Sequence, residues 1–132
     1  MPRLKTPEPE SMIFTFGSNE AGIHGAGAAK YARQNHGAVL GIGNGLTGSS
    51  YAIPTKDKHI RTLPLTSIRE YVDEFIQFAK DSPHLRFQVT QIGCGLAGYL
   101  SWQIAPMFEM APDNCLFDRA WNQYLYGKNY WN

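Results

Sequence analysis

The fold is decided by one stretch, Gly17-Ser18-Asn19-Glu20-Ala21-Gly22-Ile23-His24-Gly25-Ala26-Gly27-Ala28-Ala29-Lys30. It follows the apolar run Met12-Ile13-Phe14-Thr15-Phe16 and leads into a helical pattern that ends near His36-Gly37. Four glycines within Gly17–Gly27, between an expected strand and an expected helix, mean that main chain must pass close to something. Glycine reaches positive φ and lacks the Cβ that would hold a ligand away from the backbone. A glycine loop that opens a helix also directs free N–H groups and the positive end of the helix dipole outward, an arrangement suited to phosphate. A second glycine loop, Ile92-Gly93-Cys94-Gly95-Leu96-Ala97-Gly98, is its expected counterpart.

Outward from these loops the chain alternates. Met12 to Phe16 is short, aromatic and β-branched, and reads as a buried strand. Ala28, Ala29, Tyr31 and Ala32 recur at helical spacing over 26–35, with Gly37 as a left-handed stop. The glycine-rich block 41–50 is expected to be a turn-rich loop without regular structure, before a strand over Tyr51-Ala52-Ile53-Pro54-Thr55. Ser67 and Glu70 fit a capping box for the helix whose apolar face is Ile68, Tyr71, Val72, Phe75, Ile76 and Ala79, ended by Asp81-Ser82-Pro83.

A strand over 85–92 then runs into the second glycine loop. Ser101 is a candidate cap for a short helix containing Pro106, and 114–117 reads as a last strand. This alternation predicts an α/β fold with a mixed, mostly parallel sheet and helices on both faces, a compact three-layer arrangement. Both glycine loops follow strands, at the carboxyl ends where open α/β sheets bind ligands. The expected organisation is a polar lead-in over 1–11, one domain over 12–118 and an aromatic tail over 119–132.

Composition narrows the function. The 132 residues are 43% hydrophobic and 17% charged, with a net charge of +1. This is an ordinary globular balance with no bulk attraction for nucleic acid or an anionic membrane. No run reaches the roughly 18 apolar residues of a membrane helix. The two cysteines, Cys94 and Cys115, lack CxxC spacing and are read as reduced thiols of a cytoplasmic protein. The four histidines are scattered, so no metal is expected, and no cofactor is implied.

Individual residues leave alternatives open. Gly22-x-x-Gly25-x-Gly27 is neither a GxGxxG fingerprint nor a GxxxxGK[ST] loop, so tight turns and helix packing stand beside phosphate binding. The Asn19 amide suits a ribose hydroxyl, or an Asx turn or helix cap. Lys56 is an amine for Schiff-base chemistry with an opened sugar, or a charge partner. His24 is a phosphate contact, a proton donor or neither, and for Cys94 packing is preferred to reactivity.

Taken together, Gly25-Ala26-Gly27-Ala28-Ala29, Thr55-Lys56 and Ile92-Gly93-Cys94-Gly95-Leu96, followed by Leu100-Ser101-Trp102, resemble macrodomains over roughly residues 13–110. The likeness is closest to the terminal ADP-ribose protein glycohydrolase class, which includes the antitoxin that removes ADP-ribose from DNA. Short macrodomain-like proteins of bacteria and tailed phages share the Phe-Gly-Ser-Asn opening and the Ile-Pro-Thr-Lys-Asp segment.

The resemblance implies an ADP-ribose-type ligand, free or on a macromolecule. Its diphosphate would lie on Gly22, His24, Gly25, Ala26, Gly27 and Ala28, and on Gly93, Cys94, Gly95, Leu96, Ala97 and Gly98, with Thr55 nearby. It implies Lys56 as nucleophile at the anomeric carbon and Asn19 facing the distal ribose. Ala97 and Gly98 stand where the class carries an aspartate, and residues 1–12 hold no counterpart of its first strands or of its adenine-reading aspartate. Asp57 and Glu20 are the carboxylates that would substitute. The expected activity is hydrolysis of ADP-ribosyl bonds, the alternative a non-catalytic binding module, and a third reading is a partner-binding protein using the tail Trp121 to Trp131.

Overall fold

The computed structural model describes residues 12–132; the lead-in over 1–11 lies outside them. One sheet of six strands has the order β2-β3-β1-β4-β5-β6, with β1 at Ile13–Asn19, β2 at Gly45–Thr47, β3 at Ser50–Lys56, β4 at Phe87–Val89, β5 at Cys115–Phe117 and β6 at Asn129–Tyr130. Every pairing is parallel except β2 with β3. The fold is therefore α/β with a mostly parallel sheet.

Side-chain alternation on β1 explains the layers. Phe14 and Phe16 point to one face, where they meet Ala29 and Ala32 of helix α1 (Gly27–Asn35), with Ala38 and Ala52. Ile13 points to the other, into a larger core with Ile53, Phe75, Phe87, Phe108 and Trp121. Helix α2 (Leu65–Lys80) lies there, burying Ile68, Val72, Phe75, Ile76 and Ala79 at the spacing of one helical face. The short helix α3 (Ser101–Ile104) and the 3-10 turn Ala105–Phe108 join it through Ile104 and Phe108. Three layers result, with small alanines letting α1 sit close on one side and aromatics filling the other. Among the described residues, no helix is long and apolar enough to cross a membrane.

Four expectations change. Block 41–50 contains β2, because Gly48 at φ +58° and Ser49 form a two-residue link that folds Gly45–Thr47 back on β3. The start of the opening stretch is strand, since β1 continues through Gly17, Ser18 and Asn19 before the chain turns. Pro64 occupies the N-cap of α2 in extended geometry with no side-chain cap bond, so Ser67 lies inside the first turn and caps nothing. Ser101 is the first helical residue and accepts a hydrogen bond from Trp121 Nε1 at 3.1 Å, while the Gln103 side chain accepts from the Leu100 N–H at 2.9 Å.

The residues set apart as a tail, 119–132, are built into the same sheet and core. Trp121 is 0% exposed and packs against Phe108 and Phe117 with ring centroids 5.7 and 6.4 Å away. Strand β6 pairs with β5. Trp131 Nε1 donates to the Val89 carbonyl at 3.0 Å, and the Lys128 ammonium donates to the Ala111 carbonyl at 2.8 Å.

Truncating Trp121 to alanine is expected to cost about 3–5 kcal/mol of unfolding free energy, read from urea denaturation. A chain stopped at Asp118 should lose more than that and give no cooperative transition.

Candidate functional site

The topology opens a crevice. From β1 the chain moves through α1 to β3 on one side, then through α2 to β4 on the other. Reversal of winding direction at β1 puts the helices on opposite faces and leaves a gap outside the strand ends. A cavity of about 770 Å³ lies there.

Its floor is Gly17, Ser18 and Asn19 at the end of β1, beside Thr55 and Lys56 at the end of β3. One wall is Ile23 and the segment Gly25 to Ala29 leading into α1; the facing wall is Thr90, Gln91 and the loop Gly93 to Ala97. Ile60, Asp118 and Trp131 complete it. The two glycine loops meet across the cavity: a Cβ built on Gly27 would lie 3.7 Å from the Leu96 side chain. The start of α1 therefore faces the space, with the N–H groups of a helix N-terminus and the positive end of its dipole.

The sheet register sets Lys56. A bulge between Ser18 and Asn19 shifts the pairing so that Asn19 lies beside Lys56 rather than beside Thr55. Thr55 donates its hydroxyl hydrogen to the Ser18 carbonyl at 3.2 Å, locking the two strand ends together.

Asn19, 8% exposed, has both ends of its amide engaged. Its Nδ2 donates to the Ile23 carbonyl at 2.7 Å and its Oδ1 accepts from the Ile23 N–H at 3.0 Å. The side chain thus staples the turn between β1 and the helix entrance, the Asx-type role, while its backbone borders the cavity.

Gly22, His24 and Gly98, expected on the ligand, do not line the cavity. Gly22, at φ +71°, turns away to let main chain pass: a Cβ there would run into Gly41 and Ile42, and one on Gly43 would strike the Asn19 carbonyl. Ser18 Oγ donates to the Gly43 carbonyl at the same crossing. His24 is 1% exposed behind the loop, with its ring tilted on Phe16 at 5.6 Å, and neither ring nitrogen has a hydrogen-bond partner. Burial, aided by the Arg33 charge, holds its pKa below the usual value.

Gly25 and Gly95 behave differently. Neither has a positive φ, and a Cβ on either would meet nothing within 4 Å. The fold does not require glycine at these two positions, and both border the cavity.

Cys94 lines the cavity with a half-buried thiol, its Sγ 4.0 Å from Ser101 Oγ. Burial pushes that thiol's pKa up despite the nearby Ser101 and Trp121 donors, so the group is a poor thiolate source. The two carboxylates considered as substitutes both face elsewhere. Glu20 accepts from the Tyr71 hydroxyl at 2.5 Å, and Asp57 Oδ1 accepts from the His59 and Arg61 N–H groups at 2.8 and 3.0 Å.

Asp118 is instead the one carboxylate among the described residues lining the cavity. Burial disfavours its charge, but donation from the Ala120 N–H, the Gln91 amide and the Asn132 amide outweighs that and holds its pKa below the usual range. The one sequence signal for Asp118, absent from the expectations, is its place directly after the strand expected over 114–117; Trp131 carries none, since β6 is only two residues long.

With its pKa lowered in the folded state, His24 binds a proton more readily when unfolded. Its contribution to stability is complete above the unfolded value near 6.5 and is lost as pH falls below it; His36, also lowered by burial, acts in the same sense. Thermal melting should hold steady above about pH 7 and decline toward pH 5. Replacing His24 with leucine, which leaves no unpaired ring nitrogen buried, should flatten part of that decline without loss of stability at pH 7.5. Compared with protein-family models, with curated proteins and with solved structures, the chain has no match.

Proposed function

We propose that this protein binds ADP-ribose or a close derivative in the cavity, with the diphosphate against the loops Gly25–Ala28 and Gly93–Ala97. The observation that carries the reading is the pair Gly25 and Gly95, glycines without a conformational reason whose missing side chains leave open space on facing walls. Bare backbone there allows close approach of an anionic group to main-chain N–H donors. The start of α1, the cavity volume and the motif resemblance to macrodomains support the same ligand class. A cytoplasmic site of action fits the two free thiols, Cys94 and Cys115.

A second reading adds turnover, and the position of Lys56 on the cavity floor favours it. The neutral amine would attack the anomeric carbon of the distal ribose, forming a C–N bond as the bond to the acceptor breaks and the acceptor leaves with a proton. Water would then cleave that C–N bond, releasing ADP-ribose and restoring the amine. Ala97, in place of the class aspartate, and the engaged amide of Asn19 favour binding without turnover.

Calorimetric titration with ADP-ribose should give a Kd on the order of 1 μM, about −8 kcal/mol. Gly25→Ala and Gly95→Ala should keep or raise stability, by up to about 1 kcal/mol. Each should weaken ADP-ribose binding by about tenfold or more, equivalent to about 1.4 kcal/mol. Binding undiminished in both variants would remove the ligand assignment. Under the turnover reading, Lys56→Ala abolishes release of ADP-ribose from modified protein or DNA while leaving binding in place.

A further inference from the structure

Lys56 is followed by a tight reversal. Lys56 and Thr62 form an antiparallel bridge, the Asp57 N–H donates to the Arg61 carbonyl at 2.8 Å, and the Ile60 N–H donates to the Asp57 carbonyl at 3.0 Å. This is a four-residue turn, Asp57 to Ile60, whose last residue is left-handed, a position where hairpins of this type usually carry glycine or asparagine. The residue there is Ile60, at φ +64°, the only non-glycine residue with positive φ among the described residues. A β-branched side chain is strained in this region. The surroundings hold it there: Asp57 Oδ1 accepts from two N–H groups of the turn, and Thr62 Oγ1 donates to the Ala97 carbonyl at 3.1 Å, tying the turn to the second glycine loop.

The side chain gains no core burial in exchange, since Ile60 is 43% exposed. It lines the same cavity as Lys56, four residues before it in the chain, and so do Ile23 and Leu96, 51% and 69% exposed. Strain kept at a half-exposed apolar residue on a cavity wall points to a contact made only when the cavity is filled.

We propose that Ile60 is a specificity-determining residue, held in a strained backbone conformation so that its side chain packs on the C–H face of the ribose next to Lys56 and keeps water from it. The inference rests on the ADP-ribose reading. It requires opposite effects on stability and on affinity, a pairing that a purely structural residue does not give.

The test compares Ile60→Gly and Ile60→Val with the wild-type chain, by thermal melting without ligand and by calorimetry with ADP-ribose. Ile60→Gly relieves the strain, so its Tm should rise by about 3 °C or more, while its affinity for ADP-ribose falls by about tenfold or more. Ile60→Val keeps an apolar wall and should remain within about threefold of wild-type affinity with no gain in Tm. Unchanged affinity in Ile60→Gly overturns the inference and leaves the ADP-ribose reading intact. A lowered Tm in Ile60→Gly overturns it by removing the strain. An affinity loss in Ile60→Val as large as in Ile60→Gly overturns it, because valine keeps the apolar wall that the inference makes responsible for affinity. Failure of the wild-type chain to bind ADP-ribose overturns the ligand assignment and the inference together.

Discussion

Strand β1 is paired on both edges and parallel on both, to β3 along its length with the bulge at Ser18–Asn19 and to β4 over Ile13–Thr15. Parallel pairing brings the carboxyl ends of its neighbours to the same edge of the sheet, so whatever follows each strand meets there. The two faces of β1 also separate the cores: Phe14 and Phe16 require small alanines opposite them, and Ile13 requires the aromatic cluster under α2. Moving β1 by one residue would exchange those faces, driving Phe14 and Phe16 into the already filled aromatic core and leaving Ile13 and Thr15 against the alanine-lined layer. Register, layer thickness and the position of the cavity are thus one constraint.

Backbone crossings carry that constraint into the site. The segment after β1 passes so close to residues 41–43 that Gly22 and Gly43 have no room for side chains. With this crossing and the Asn19 staple on Ile23 fixed, the following residues turn outward and α1 starts facing the crevice. The charge distribution inside is sparse: among the described lining residues, Lys56 is the only cation and Asp118 the only anion. Beyond these two charges the exposed lining is mostly apolar, and the donors suited to negative charge are the main-chain N–H groups at the start of α1.

Much of this was legible because it is periodic or punctuated. The helical spacing from Ile68 to Ala79 gave α2, the alternation of strands and helices gave the mostly parallel sheet, and the two glycine clusters marked the segments that line the cavity. Less legible was the division of labour among glycines. Gly22 and Gly43 serve packing while Gly25 and Gly95 border open space, a distinction set by chain segments about twenty residues or more apart. His24 lay among them in sequence but points into the alanine-side layer against Phe16. Strand β6 and Trp131 have no local pattern of their own; long-range pairing with β5 makes them structure, a case of tertiary context overriding propensity.

Trp131 lines the cavity and hydrogen-bonds to Val89, while the opposite floor begins at Gly17. Walls drawn from positions more than a hundred residues apart cannot be assembled by any local folding unit. The cavity exists only when the whole sheet is closed, so any occupant of it would be coupled to global unfolding rather than to the ordering of one loop. Occupancy would then slow amide exchange in strands far from the cavity as much as in the loops that touch the ligand.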